Sequence, residues 1–287
     1  MEFLRPKTLG EALACKAEHQ AAVPIAGGTD VMVELNFDHR RPAALLDLGG
    51  IPELAGWSAT GAGIRLGATV PYTRVITELG EKLPGLAMAS RTVGSPQIRN
   101  RGTVGGNLGA ASPAGDMHPV LLVTGAEIEA ASVRGTRRIP AGEFYVGVKR
   151  NALAEDELIT AVHLPAAAGP QQFAKVGTRN AMVIAVCSFA ISLEAGRVRA
   201  AIGSAAPTPR RALEAEEFAS AELPWNSPAP LLDSVKRRFG ELVAQAAVPI
   251  DDVRGTAAYR KHALSVMARR TLGWAWQEYL QGAAKCA

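Results

Sequence analysis

Apolar runs that stop at glycine set the rhythm of the first half of the chain. Val23-Pro24-Ile25 leads into Gly27-Gly28, and residues 44–48 lead into Gly49-Gly50, so each predicts a short strand closed by a turn. Residues 64–69 alternate with a period of two, as a half-buried strand does. Thr8-Leu9-Gly10-Glu11 has capping-box spacing and predicts a helix running to Glu18. A second helix is predicted over 30–35, capped by Thr29 or Asp30. Pro71 suits a first helical turn, with 72–79 following, and 83–93 and 120–123 predict two more helices. Strands are predicted at 127–132, 137–139, 158–164 and 172–177, then at 183–193 and 197–203 around Ala195-Gly196. Three helices close the chain at 210–219, 230–246 and 256–280, separated by proline punctuation at 207–209 and 224–230. The last carries an apolar stripe at Leu264, Met267, Leu272 and Ala275. The pattern predicts an α+β protein with lobes over 1–54 and 55–177 and a separate C-terminal domain over 178–287.

Two of the glycine turns change this picture from architecture to chemistry. Ala26-Gly27-Gly28-Thr29-Asp30 and Thr103-Val104-Gly105-Gly106-Asn107 share one form, an apolar or β-branched lead, two glycines and a polar residue. Glycine reaches positive φ and lets backbone N–H groups approach a ligand. A row of such groups is a ready anion site. Thr29, Thr103 and Asn107 can each add a side-chain hydrogen bond to a phosphate oxygen. Either loop alone is equally an ordinary tight turn. Taken together they predict two loops closing on one diphosphate-bearing cofactor. No G-x-G-x-x-G opens a helix and no G-x-x-x-x-G-K-S/T is present, which argues against a Rossmann domain and a P-loop.

Composition narrows the classes. With 287 residues, 48% hydrophobic and 20% charged, the chain can build two globular cores. Its 31 basic and 27 acidic residues give a net charge of only +4, with no dense basic run among aromatics, so nucleic acid is not an expected partner. Cys15, Cys187 and Cys286 are far apart, no C-x-x-C occurs, and the five histidines lack ligand spacing, so no metal site is expected. Cys187 lies in an apolar run and reads as a buried thiol. Sparse cysteine, no signal pattern at Met1 to Pro6 and no long apolar run predict a cytoplasmic protein without a membrane span.

No acid–base constellation stands out. His118 reads as a surface or capping residue, and Asp251-Asp252 and Glu216-Glu217 as solvated faces. Lys175, in Phe173-Ala174-Lys175-Val176, either faces water from an alternating strand or is a buried cation, which would need a partner.

Pro24-Ile25-Ala26-Gly27-Gly28-Thr29-Asp30 and Gln97-Ile98-Arg99-Asn100-Arg101-Gly102-Thr103-Val104-Gly105-Gly106-Asn107 resemble the two signature loops of the FAD-binding medium subunit of molybdenum hydroxylases. These are enzymes of the xanthine dehydrogenase and carbon monoxide dehydrogenase type. Similar stretches follow at Ala111 to Asp116, Glu157-Leu158-Ile159, Phe173 to Gly177 and Thr256 to Arg260, in the family's order. The resemblance implies a two-lobed FAD-binding domain of the vanillyl-alcohol-oxidase (PCMH) type and a small C-terminal α+β domain with a three-stranded sheet. It implies that Ala26, Gly27, Gly28, Thr29, Asp30, Thr103, Val104, Gly105, Gly106 and Asn107 bind the pyrophosphate. Asp116 would meet a sugar or ribityl hydroxyl, Val93 and Ile159 would line the flavin pocket, and Lys175 would lie near the isoalloxazine. Catalysis would be the cofactor's, with no catalytic side chain in this chain. The implied partners are a small 2Fe–2S subunit and a large molybdopterin subunit, as a dimer of heterotrimers, with NAD, oxygen or another acceptor. A self-contained flavin-dependent oxidoreductase of the same fold stays open as the alternative.

Overall fold

The computed structural model describes residues 1–226 and 229–286, with side chains through residue 282. Ser227 and Pro228, inside the proline punctuation at 224–230, and the Cys286 side chain lie outside the described part. The chain folds into two compact units, one of residues 1–78, 95–112 and 125–165, the other of 79–94, 113–124 and 166–287.

The first unit begins with a three-stranded parallel sheet in the order Glu2–Leu4, Ala44–Asp47, Val23–Ile25. The first of these strands is too short to show a period, and sequence reading misses it. The Leu9–Glu18 helix starts where predicted: Thr8 Oγ1 accepts from Glu11 N at 3.2 Å, and Glu11 Oε2 accepts from Lys7 N at 2.7 Å. Ala12, Leu46, Leu48, Ile51 and Leu54 form this lobe's buried core. The Val31–Asn36 helix is present with Asp30 at its cap position, but no side chain caps it, contrary to expectation.

The same unit holds a five-stranded antiparallel sheet in the order Trp57–Thr60, Gly63–Gly67, Leu158–Pro165, Glu127–Ser132, Gly135–Pro140. Ile64, Leu66, Ile128 and Val162 are buried. The intervening positions gather a polar row: Glu129 takes Arg65 at 2.6 Å, His163 at 2.6 Å and the Thr160 hydroxyl at 2.7 Å. Burial would raise the Glu129 pKa, but these three hydrogen bonds and the Arg65 charge outweigh it and lower it to about 2. A carboxylate with a depressed folded-state pKa stabilises above its unfolded pKa and loses that contribution as pH falls toward the folded value. Glu129→Gln is therefore expected to cost on the order of 3 kcal/mol near neutrality. Its deficit against wild type should close as pH falls from about 4.5 to about 2. Denaturant midpoints of the two proteins across that range check this; a constant gap would contradict it.

The second unit is built on a four-stranded antiparallel sheet in the order Gln171–Val176, Cys187–Glu194, Arg197–Gly203, Arg210–Arg211. The expected three-stranded sheet gains a two-residue edge strand, too short to leave a periodic signal. Gln171–Val176, read from the sequence as completing the second lobe of the FAD-binding domain, pairs here along its whole length with Cys187–Glu194. The strand predicted at 183–193 starts only at Cys187, so residues 183–186 lie before it.

Both sheet faces are covered, so these strands read as apolar runs without clean alternation. Cys187, Phe189, Ile191 and Leu193 join a core with residues of the Leu213–Glu222, Asp233–Gln245 and Ala257–Cys286 helices, including Phe239, Leu264 and Trp276. On the opposite face Met117–Thr124, buried along its length, packs so closely that a Cβ on Gly203 would stand 2.8 Å from Pro119 Cγ. His118 is fully buried in this helix, against the expectation of a surface position. Cys187 is the expected buried thiol, its pKa pushed up to about 12 by desolvation. Glu216 is not solvated: it is buried, accepts from Ala200 N at 2.9 Å and pairs with Arg211. Asp252 likewise binds the buried Arg260 at 2.6 Å and Arg254 at 2.8 Å. Among the described residues no helix is long and apolar enough to cross a membrane.

Candidate functional site

The first loop turns at the carboxyl end of Val23–Ile25. Gly28 takes φ +77°, a conformation glycine adopts without strain, and Met32 N donates to its carbonyl at 3.0 Å. Ala26, Gly27, Gly28 and Thr29 are half-buried and Asp30 is exposed.

The second loop differs from expectation. Gly105 and Gly106 lie inside a helix, Val104–Ala110, rather than in a turn after a strand. Thr103 is its N-cap, with Oγ1 accepting from Gly106 N at 2.9 Å. Two glycines oppose helix formation locally, which is why the sequence reads as a turn. Tertiary packing overrides that preference: a Cβ on Gly105 would stand 2.5 Å from the Ala68 carbonyl oxygen and 2.7 Å from Ala68 Cβ. Ala68 N in turn donates to Thr160 O at 3.0 Å, beside a bulge in the strand carrying buried Ile159.

The two loops meet. A Cβ on Gly27 would fall 1.8 Å from the Arg101 carbonyl oxygen and 2.9 Å from Gly102 N. Loops some seventy positions apart in the chain thus touch backbone to backbone, and only glycine permits the contact. Gly106 is different. It is exposed, and a Cβ there would meet only Thr103 Oγ1 at 3.1 Å. Asn107 Oδ1 beside it is buried without a protein hydrogen bond. A buried acceptor rarely stays unpaired in a native protein, so an exposed glycine next to an orphaned amide oxygen fits a bound polar ligand.

The remaining predicted residues, Val93, Asp116 and Lys175, lie in the second unit. Val93 ends the Pro84–Thr92 helix. Asp116 and Lys175, expected separately, form a buried ion pair at 2.6 Å with side-chain exposures of 6% and 8%. Thr92 completes it: its hydroxyl lies 3.0 Å from Asp116 Oδ2 and its carbonyl accepts from Lys175 Nζ at 3.2 Å. Sequence reasoning offered no signal for Thr92 beyond its place before Val93. Burial pushes the Asp116 carboxyl above its usual pKa, against the opposing pull of Lys175 and Thr92. Asp116 Oδ1 is buried with no hydrogen-bond partner, a second orphaned acceptor that suits a hydroxyl donor. Lys175 therefore does not face water from its strand, and it is no lone cation either. Among the described residues no group of histidine, cysteine and carboxylate side chains could hold a metal ion.

Comparison with known proteins shows the family. Residues 1–167 match the family described as FAD binding domain in molybdopterin dehydrogenase, and residues 172–275 match the CO dehydrogenase flavoprotein C-terminal domain. A putative xanthine dehydrogenase FAD-binding subunit of Escherichia coli K12 is 31% identical over 282 residues, covering 94% of each chain. The carbon monoxide dehydrogenase medium chain of Hydrogenophaga pseudoflava is 29% identical, covering 100% of this chain and 98% of that one. A solved structure of the Hydrogenophaga pseudoflava enzyme superposes with a TM-score of 0.87 at 27% identity, over 97% of this chain and 98% of that one. Quinoline 2-oxidoreductase from Pseudomonas putida 86 gives 0.87 at 26% identity, over 99% and 98%. The chain carries an FAD-binding domain and belongs to the FAD-binding medium subunits of the molybdenum hydroxylase family.

Proposed function

We propose that this chain is the electron-transfer subunit of a molybdenum hydroxylase. It receives electrons from a small 2Fe–2S subunit and delivers them to NAD or another acceptor. A large subunit with the molybdopterin cofactor acts on the substrate, and the three chains pair as a dimer of heterotrimers. When bound, FAD supplies a store for two electrons that single-electron donors can fill. The chain's own residues bind and orient it. Residues 26–30 and 103–107 take the pyrophosphate through backbone and side-chain donors, while Asn107 Oδ1, an acceptor, is left for a hydroxyl of the same ligand. Asp116 accepts from a sugar or ribityl hydroxyl, Val93 and Ile159 give apolar walls, and Lys175 holds Asp116 in place. The sparse cysteine content supports a cytoplasmic location.

The observation that carries this reading is the backbone contact between Gly27 and Arg101, which brings the two glycine loops together. Purification from the native host under gentle conditions tests the function. The expected result is co-elution with an iron–sulfur chain and a molybdopterin chain, and bleaching of the flavin band when the complex meets its substrate. A yellow chain that elutes alone and turns over an organic substrate by itself would contradict it.

A further inference from the structure

Away from the glycine loops, the second unit carries a groove between the Asp233–Gln245 and Ala257–Cys286 helices. The helices cross tightly at Gly240, where a Cβ would stand 2.6 Å from the Ser265 carbonyl oxygen. Beyond that crossing the groove encloses about 370 Å³, lined by Lys236, Arg269, Arg270, Gly273, Trp274 and Gln277. Gly273 leaves its floor open, since the nearest atom to a Cβ there would be Lys236 Cδ at 3.8 Å. Asp233 is the single acid at its edge, bound by Lys236 at 2.7 Å and held below the usual carboxylate range mainly by that hydrogen bond. Arg269 and Arg270 form no ion pair among the described residues.

Trp274 is the unusual member. Trp276, two positions on, is buried at 1% exposure and donates to the Ala229 carbonyl at 2.7 Å, as a core tryptophan should. Trp274 is 49% exposed on a groove rimmed by cations. Tryptophan and arginine are the side chains that most often carry binding energy at protein interfaces. Residues 266–277 run roughly 16 Å along the helix at 1.5 Å per residue, a strip suited to a length of polypeptide rather than one small anion.

We infer that this groove docks an acidic segment of a partner polypeptide, with Trp274 as anchor and Lys236, Arg269 and Arg270 supplying charge complementarity. The inference rests on the reading of the chain as one subunit of a complex. The test uses the tagged full chain made together with its partner chains, with Trp274 replaced by the photoreactive residue benzoylphenylalanine. Illumination is expected to join position 274 to one partner segment rich in Asp and Glu. Adding Arg270→Glu should lower the yield at least tenfold while leaving FAD content and thermal midpoint unchanged. An assembled yellow complex with no cross-link at 274, or one insensitive to Arg270→Glu, would overturn the groove assignment and leave the flavin reading intact. A cross-link to an acidic segment in a colourless complex would support the groove and sink the flavin reading instead. Loss of the cross-link on adding millimolar ATP would assign the groove to a nucleotide and overturn the inference.

Discussion

Gly106→Val is expected to give a folded protein stripped of most of its FAD. A Cβ at this exposed position meets only Thr103 Oγ1, at 3.1 Å, so the protein itself has room for it with a small adjustment. Valine is also no worse a helix former than glycine, so the Val104–Ala110 helix should persist. What a branched side chain would obstruct is close approach from outside, where the proposed pyrophosphate lies. A loss of at least tenfold in FAD affinity, about 1.4 kcal/mol or more, is the expected size. Circular dichroism and thermal midpoint should match wild type while flavin absorbance falls. Gly27→Val is the instructive contrast. Its side chain would collide with the Arg101 carbonyl at 1.8 Å, so fold and FAD should fail together. A Gly106→Val protein with full flavin content would refute the loop's role.

Lys175→Met is expected to lower the stability of the fold substantially. It removes the cation from a pair whose side chains are 8% and 6% exposed and leaves Asp116 buried beside Thr92. Breaking a buried pair from one side costs about 3–5 kcal/mol, because the remaining charge has lost its partner. For a chain of this size that is a thermal midpoint lower by about 10 °C. The pH dependence gives a second signature. In the variant Asp116 keeps the desolvation that raises its pKa and loses Lys175, the main force opposing it. A carboxyl with a raised folded-state pKa stabilises the fold when protonated and loses that contribution as pH rises through the folded pKa. The variant should therefore recover toward wild type as pH falls, and Lys175→Met with Asp116→Asn should be more stable near neutrality than Lys175→Met alone. An unchanged midpoint at pH 7 would show that the pair contributes nothing. The pair also bears on redox tuning, since Asp116 cancels most of the field that an isolated Lys175 would present.

The parts of this fold that sequence makes legible are those whose cause is local. Thr8 and Glu11 declare a helix start by themselves, and Gly196 declares the turn between Cys187–Glu194 and Arg197–Gly203. Both glycine loops are visible because they share one form, an apolar or β-branched lead, two glycines and a polar follower. Their contact is not, since nothing local tells Gly27 that Arg101 will lie against it. The helical state of Gly105 and Gly106 was hidden for the same reason, because packing on Ala68 overrides a poor helix propensity. Glu216, Asp252 and His118 read as solvated or surface groups because their burial comes from packing that no local pattern declares: Glu216 takes the Ala200 N–H of a neighbouring strand, and Asp252 meets Arg260 on the helix that follows it. Lys175 and Asp116 each drew attention alone, but their union depends on strand Gln171–Val176 joining the second sheet, a pairing with no signature in its own residues.

The proposed function depends most on two distant glycine loops gripping one dinucleotide. Absorbance of the freshly purified full-length chain at flavin wavelengths, before and after incubation with FAD, tests this most directly. The predicted result is a yellow protein reaching close to one FAD per chain, with Gly106→Val markedly below it. A colourless wild-type protein that does not take up added FAD would contradict it.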